Sequence, residues 1–170
     1  MSVLKEAKGL ATTTLRVMNR KAEASVEQSS DLDKGSISAH EKGGTTRHTE
    51  KTTRKVKDFE LYRFVFETAI EIFEEIFETS RGFPKEKKFL TEQMRKHARS
   101  VCTNLAEAWH MKKQKSSFII KLSDAAQAAS KTQRFLEYAS KYNYIEPGVF
   151  RKLDAKYEDI FDLLCDVARD

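Results

Sequence analysis

Phe83-Pro-Lys-Glu-Lys-Lys-Phe-Leu-Thr-Glu-Gln-Met-Arg-Lys-His-Ala-Arg-Ser-Val-Cys-Thr-Asn-Leu105 is the stretch that decides the fold. Pro84 gives a helix start signal: its missing N–H costs nothing in a first turn, and its φ already suits a helix. Phe89/Leu90, Met94, Ala98, Val101/Cys102, Leu105/Ala106 and Trp109 then recur at helical spacing. Arg95, Lys96 and Arg99 lie between them, and Lys112, Lys113 and Lys115 follow. The spacing predicts an amphipathic helix with an apolar stripe for partner helices and a basic face for something acidic. The flanking segments read as the neighbours that cover the stripe.

Upstream, Leu61/Tyr62, Val65/Phe66, Ala69/Ile70, Phe73 and Ile76/Phe77 form a buried stripe, with Glu67, Glu71, Glu74, Glu75 and Glu78 outside it. Asp58 reads as the N-cap or first-turn acid of this helix, and Gly82 as the residue that closes it. Downstream, Ser116 or Ser117 is the expected cap of a third helix. Its stripe is Phe118, Leu122, Ala125, Ala129, Thr132/Gln133, Leu136, Ala139 and Tyr142. Spacings that alternate between three and four residues are those of a bundle seam. A turn over 143–148 with Pro147 near its end leads into a fourth helix. That helix is expected to bury Phe150, Leu153, Tyr157, Ile160/Phe161, Leu164 and Val167/Ala168. The expectation is all-α: an antiparallel up-down-up-down four-helix bundle over 58–170.

Composition agrees. Six Gly and two Pro in 170 residues, with 34% charged residues, fit long helices rather than a sandwich, barrel or α/β sheet. No apolar run is long enough to span a bilayer, and none at the N-terminus reads as a secretory signal, so no membrane partner is expected and the expected address is cytoplasmic. Cys102 and Cys165 both fall on apolar stripes and read as buried thiols. Residues 1–57 carry 12 basic and 7 acidic residues and few large apolar ones. They read as a basic, mostly disordered extension. Residues 58–84 hold 2 basic and 7 acidic residues, whereas 85–121 hold 10 and 3. An acidic helix thus precedes a basic one. The two either neutralise each other within the bundle or leave a basic surface for phosphates.

Phe83-Pro84, Gln93-Met94-Arg95 and Asn104-Leu105-Ala106-Glu107, followed by Phe118 to Asp124, Thr132-Gln133 and Tyr144-Ile145, resemble a known family. It is the family of four-helix-bundle proteins encoded by intervening sequences in bacterial 23S ribosomal RNA genes. The resemblance covers 58–170. This chain departs from the family pattern at Ala108, where Gly is usual, and at Lys131, where many members carry Glu. Ala126 and Ala128 also replace polar positions, so the third helix should suit an anion better than in most members. The family is similar in fold to the accessory protein of diversity-generating retroelements. The resemblance therefore implies a homopentamer, an RNA or other nucleic-acid partner, and an association with a reverse transcriptase.

No catalytic residue comes with the resemblance, and none is read from the residues. Glu107 and His110 form one Glu-x-x-His pair, but a di-iron bundle needs two. The chain has no Cys/His pair of metal-ligand spacing, no phosphate-cradling Gly-rich loop and no nucleophile elbow. An enzyme, a metal and a cofactor are not expected. Arg95, Lys96, Arg99, Lys112, Lys113, Lys115, Lys121, Lys131 and Arg134 are the expected nucleic-acid contacts, acting by phosphate neutralisation. Asn104, Glu107 and Trp109 are expected to serve structure or an interface. Aromatic residues among the exposed basics are not expected apart from Trp109, so base stacking is not expected either. The alternative is an assembly scaffold, or a reverse-transcriptase accessory subunit, without direct RNA readout.

Overall fold

The computed structural model describes residues 45–169, and side chains over 58–168. The reading of 1–44 as a disordered extension falls outside the described residues. The chain runs through α1 (Thr45–Thr79), two 3-10 turns (Ser80–Gly82 and Lys85–Lys87), α2 (Lys88–Met111), α3 (Lys115–Lys141) and α4 (Pro147–Arg169). Among the described residues there is no strand. α1 packs on α2 and α4, and α3 packs on the same two.

The contacts run antiparallel. The Tyr62 hydroxyl donates to the Leu105 carbonyl, the Cys102 thiol meets the Ala69 carbonyl at 3.4 Å, and Arg95 reaches Phe77. Gln133 on α3 donates to Asp154 and Glu158 on α4 at 3.0 and 2.7 Å. Lys152 and Lys156 on α4 close the square onto Glu75 of α1 at 2.8 and 3.2 Å. This is the up-down-up-down bundle read from the sequence.

Tyr62, Val65, Phe66, Ile72, Phe73, Ile76, Met94, Leu105, Leu136, Leu153, Tyr157 and Ile160 are buried at its centre. Truncating such a side chain to alanine typically costs about 2–5 kcal/mol. α2 and α3 make the most extensive pairing. Ala98, Ala106 and Ala108 on one, and Ala125, Ala128 and Ala129 on the other, are buried, and small side chains let axes approach closely. The buried Thr132 hydroxyl donates to the Ala128 carbonyl at 2.9 Å. Burial holds both the Tyr62 and Tyr157 hydroxyls well above the usual tyrosine range.

The structure corrects several local readings. α1 begins at Thr45, directly after Gly43-Gly44, so Asp58 lies inside it rather than capping it. Residues 45–57 contain no Gly or Pro to stop a helix. Pro84 precedes a 3-10 turn rather than opening α2, and α3 starts at Lys115 without a serine cap. Leu90 is buried while its neighbour Phe89 is 72% exposed. Adjacent helical residues point about 100° apart, so a pair at the edge of the stripe divides between core and surface, whereas Val65 and Phe66 at its centre are both buried. Cys102 is buried, its thiol pushed up to about 12 by burial, but Cys165 is exposed. Tyr142 also leaves the predicted stripe and is 49% exposed.

Candidate nucleic-acid interface

The nine basic residues read from the sequence fall into different environments. Lys96 and Arg99 are exposed on α2, one turn apart, and Lys131 and Arg134 are exposed on α3, also one turn apart. His97 links the two helices: its ring stacks on Phe135 at 5.7 Å between centroids and 12° between planes. Burial, Lys131 and Lys96 together lower the His97 pKa. Two lysines acting on one imidazole mark a concentration of positive charge at the α2–α3 seam. Lys131 hydrogen-bonds Gln127 at 3.2 Å. Among the described residues Lys96, Arg99 and Arg134 form no ion pair.

Lys112, Lys113 and Lys115 form a second group where α2 turns into α3. It lies about 25 Å along the helix axis from Lys96 at 1.5 Å per residue. The Lys112 ammonium sits over the Trp109 ring at 4.7 Å. Lys112 and Lys115 border a cavity of about 150 Å³ whose other walls include Asp58, Tyr62 and Phe118.

Two predicted contacts are engaged within the bundle. Arg95 turns inward, donating to the Ser80 hydroxyl at 2.7 Å and the Phe77 carbonyl at 3.2 Å, with its guanidinium 4.2 Å from the Phe77 ring centroid. It caps the end of α1, where carbonyls lack helical partners. Lys121 bridges to Glu107 at 2.6 Å, with Asp124 at 3.9 Å.

Asn104 is half-buried, and its amide donates to Ser100 at 3.3 Å. Trp109 is buried against Phe59 and Tyr62, at 5.5 and 5.0 Å between ring centroids. Its Nε1 has no hydrogen-bond partner among the described residues. The one aromatic expected among the exposed basics is therefore a core residue. Tyr138, 46% exposed, and Tyr142, 49% exposed, stand on the basic stretch of α3 instead. The signal for them was present: Lys131, Arg134, Tyr138, Lys141 and Tyr142 recur at three- and four-residue spacing and so share a face.

Five glutamates of α1 have their ion pairs elsewhere than on this face. Glu71 and Glu75 of α1 pair with α4, through Lys156 and Lys152. Glu60 and Glu67 pair with Arg63, and Glu78 pairs with Arg81.

An all-α bundle with a cationic seam between its second and third helices is thus the class that fold and site define. Over residues 63–166 the chain matches the 23S rRNA-intervening sequence proteins, and it belongs to that family. A solved protein of unknown function from the S23 ribosomal protein family of Bacteroides thetaiotaomicron has the same fold, with a TM-score of 0.59 at 21% identity. The alignment covers 65% of this chain and 99% of that one. Comparison with curated proteins finds no match.

Proposed function

We propose that this protein is a non-enzymatic bundle that binds structured RNA or a ribonucleoprotein through the cationic face of α2 and α3. The observation that carries this reading is the partitioning of acids. Glu60, Glu67, Glu71, Glu75 and Glu78 of α1 are engaged by α4 or by arginines near them, while Lys96, Arg99 and Arg134 form no ion pair among the described residues. Such cations bind by displacing the counterions condensed on a phosphate backbone, which gives affinity that falls steeply with salt. Assembly into a homo-oligomer, a pentamer by the resemblance, would repeat the face and add avidity.

The test is fluorescence anisotropy of the full chain with a labelled hairpin RNA at two salt concentrations. The wild type is expected to bind and to weaken steeply as salt rises. K96E/R99E/K131E/R134E weakens binding more than about 10-fold at low salt and flattens its salt dependence. Unchanged binding by the variant would take the site off this face, and no binding by the wild type would refute the RNA reading.

A second reading, an assembly scaffold or reverse-transcriptase accessory subunit, draws support from Phe64 and Ile120, which are 57% and 59% exposed. Large exposed apolar side chains of this kind suit an interface. Partner binding that resists salt, with no RNA affinity, would favour it.

A further inference from the structure

The sequence offered no stacking platform among the basic residues, but the fold builds one at the carboxyl end of α3. Four aromatic rings run in series from the core to the surface. Phe83 is buried and meets Tyr144 at 5.9 Å, Tyr144 stacks on Tyr142 at 6.1 Å and 19°, and Tyr142 meets Tyr138 at 4.5 Å.

The series is anchored by backbone. Asn143 adopts φ 58°, the left-handed conformation. The Tyr144 N–H returns to the Ala139 carbonyl at 2.8 Å and the Asn143 N–H to the Ser140 carbonyl at 3.0 Å. That pair of bonds is a Schellman motif. It pins Tyr144 under Tyr142, and the Tyr138 ring packs on the Tyr142 ring. The outer rings are therefore held in place before any ligand arrives, which reduces the ordering cost of binding.

Charge surrounds the rings. Arg134 and Lys141 lie one turn from Tyr138 on the same face, and Lys131 lies one turn further back. Glu137 borders this face. The α2–α3 register, set by His97 against Phe135 and Glu107 against Lys121, brings Phe89 to the level of Tyr142. Phe89 is 72% exposed and lies seven residues, or two turns, before Lys96. From Lys131 to Tyr142 the face is about 16 Å long.

Alternating cations and exposed rings on a preorganised face suit unpaired nucleotides, whose phosphates take the charge and whose bases stack. We propose that Tyr138 and Tyr142 form a stacking site for a few unpaired nucleotides of an RNA held by the cations Lys96, Lys131, Arg134 and Lys141. This rests on the RNA-binding reading above and adds to it a single-stranded element that the charge alone would not select.

The experiment uses the full chain and two labelled probes of equal length, an unstructured single-stranded RNA and a blunt RNA duplex, with anisotropy read at one low salt concentration. Y138A/Y142A is expected to lose between about 10- and 100-fold in single-strand affinity, with duplex affinity changed less than about 2-fold. Y138F/Y142F, which keeps the rings, should retain wild-type affinity for both. Both tyrosines are exposed, so the helices should persist in each variant, which circular dichroism checks. If the alanine variant binds the single strand as the wild type does, or loses both probes equally, the stacking site is refuted while the basic face stands. If the variant instead changes the oligomeric mass and keeps its single-strand affinity, the rings belong to a subunit interface and the proposal falls. If the wild type binds neither probe, the RNA reading itself fails and the stacking site with it.

Discussion

Arg95 illustrates how a charged residue can belong to the fold rather than to a ligand. Its position in the sequence is that of a surface base, yet its guanidinium holds the Phe77 carbonyl and the Ser80 hydroxyl while lying over the Phe77 ring. A hydrogen bond to a charged group contributes about 1.5–3 kcal/mol, and a partly desolvated cation–π contact about 1 kcal/mol. Arg95→Ala should therefore lower unfolding stability by about 2 kcal/mol in a urea titration, while the RNA anisotropy proposed above reads as it does for the wild type. A variant that kept its stability but lost RNA affinity would return Arg95 to the interface. Charge reversal at Arg95 would confuse folding with binding, which is why the interface test above leaves it intact. Phe89 and Cys165 are the same lesson in apolar form. Each lies on an apolar helical stripe by spacing, yet each is exposed.

At the scale of the element, helix interiors were legible and helix ends were not. Three- and four-residue spacing located the buried faces of all four helices, because a bundle core selects one angular sector of each helix. Ends are set by one or two backbone groups, which several residue types can satisfy. The end of α3 is the informative case. Asn143 sits in a left-handed conformation that costs most L-residues about 1–2 kcal/mol and glycine almost nothing. Asn143→Gly should leave the melting temperature equal or higher. Asn143→Val should lower stability by about 1–2 kcal/mol and loosen the Tyr142–Tyr144 stack. Thermal melts of the two variants check the ranking, and a valine variant as stable as the wild type would contradict the assigned turn.

At the scale of the whole molecule, the closure of α4 onto α1 is electrostatic at its rim. Burial opposes ionisation of Glu75, but hydrogen bonds from Lys152 and Lys156 outweigh it and hold the carboxyl below its ordinary value. A carboxyl whose folded value is depressed contributes stability above its unfolded value, and that contribution is lost as pH falls through the folded one. The ordinary value is 4.5, so the loss should set in as pH drops below about 4.5. The pair is partly solvated, so the effect is modest and screened by salt. Acid titrations of wild type and Glu75→Gln should differ in slope below that pH and run parallel above it. Identical slopes would show that the ion pair does not matter to closure.

By itself the sequence determined that this chain makes four amphipathic helices joined by short connections. It also determined that positive charge gathers on the second helix and the start of the third. Both properties are local, since helical period and charge are carried by residues within a few turns of one another. Only the tertiary structure decided which charges remain outward. Arg95 and Lys121 are drawn into bonds with α1 and α2, and Glu71 and Glu75 of α1 are taken up by α4, because each outcome depends on which helix lies opposite. The same holds for the aromatics. Trp109 is buried because α1 covers it, whereas Tyr138 and Tyr142 face outward on α3, where a left-handed turn stacks Tyr142 on an anchored ring.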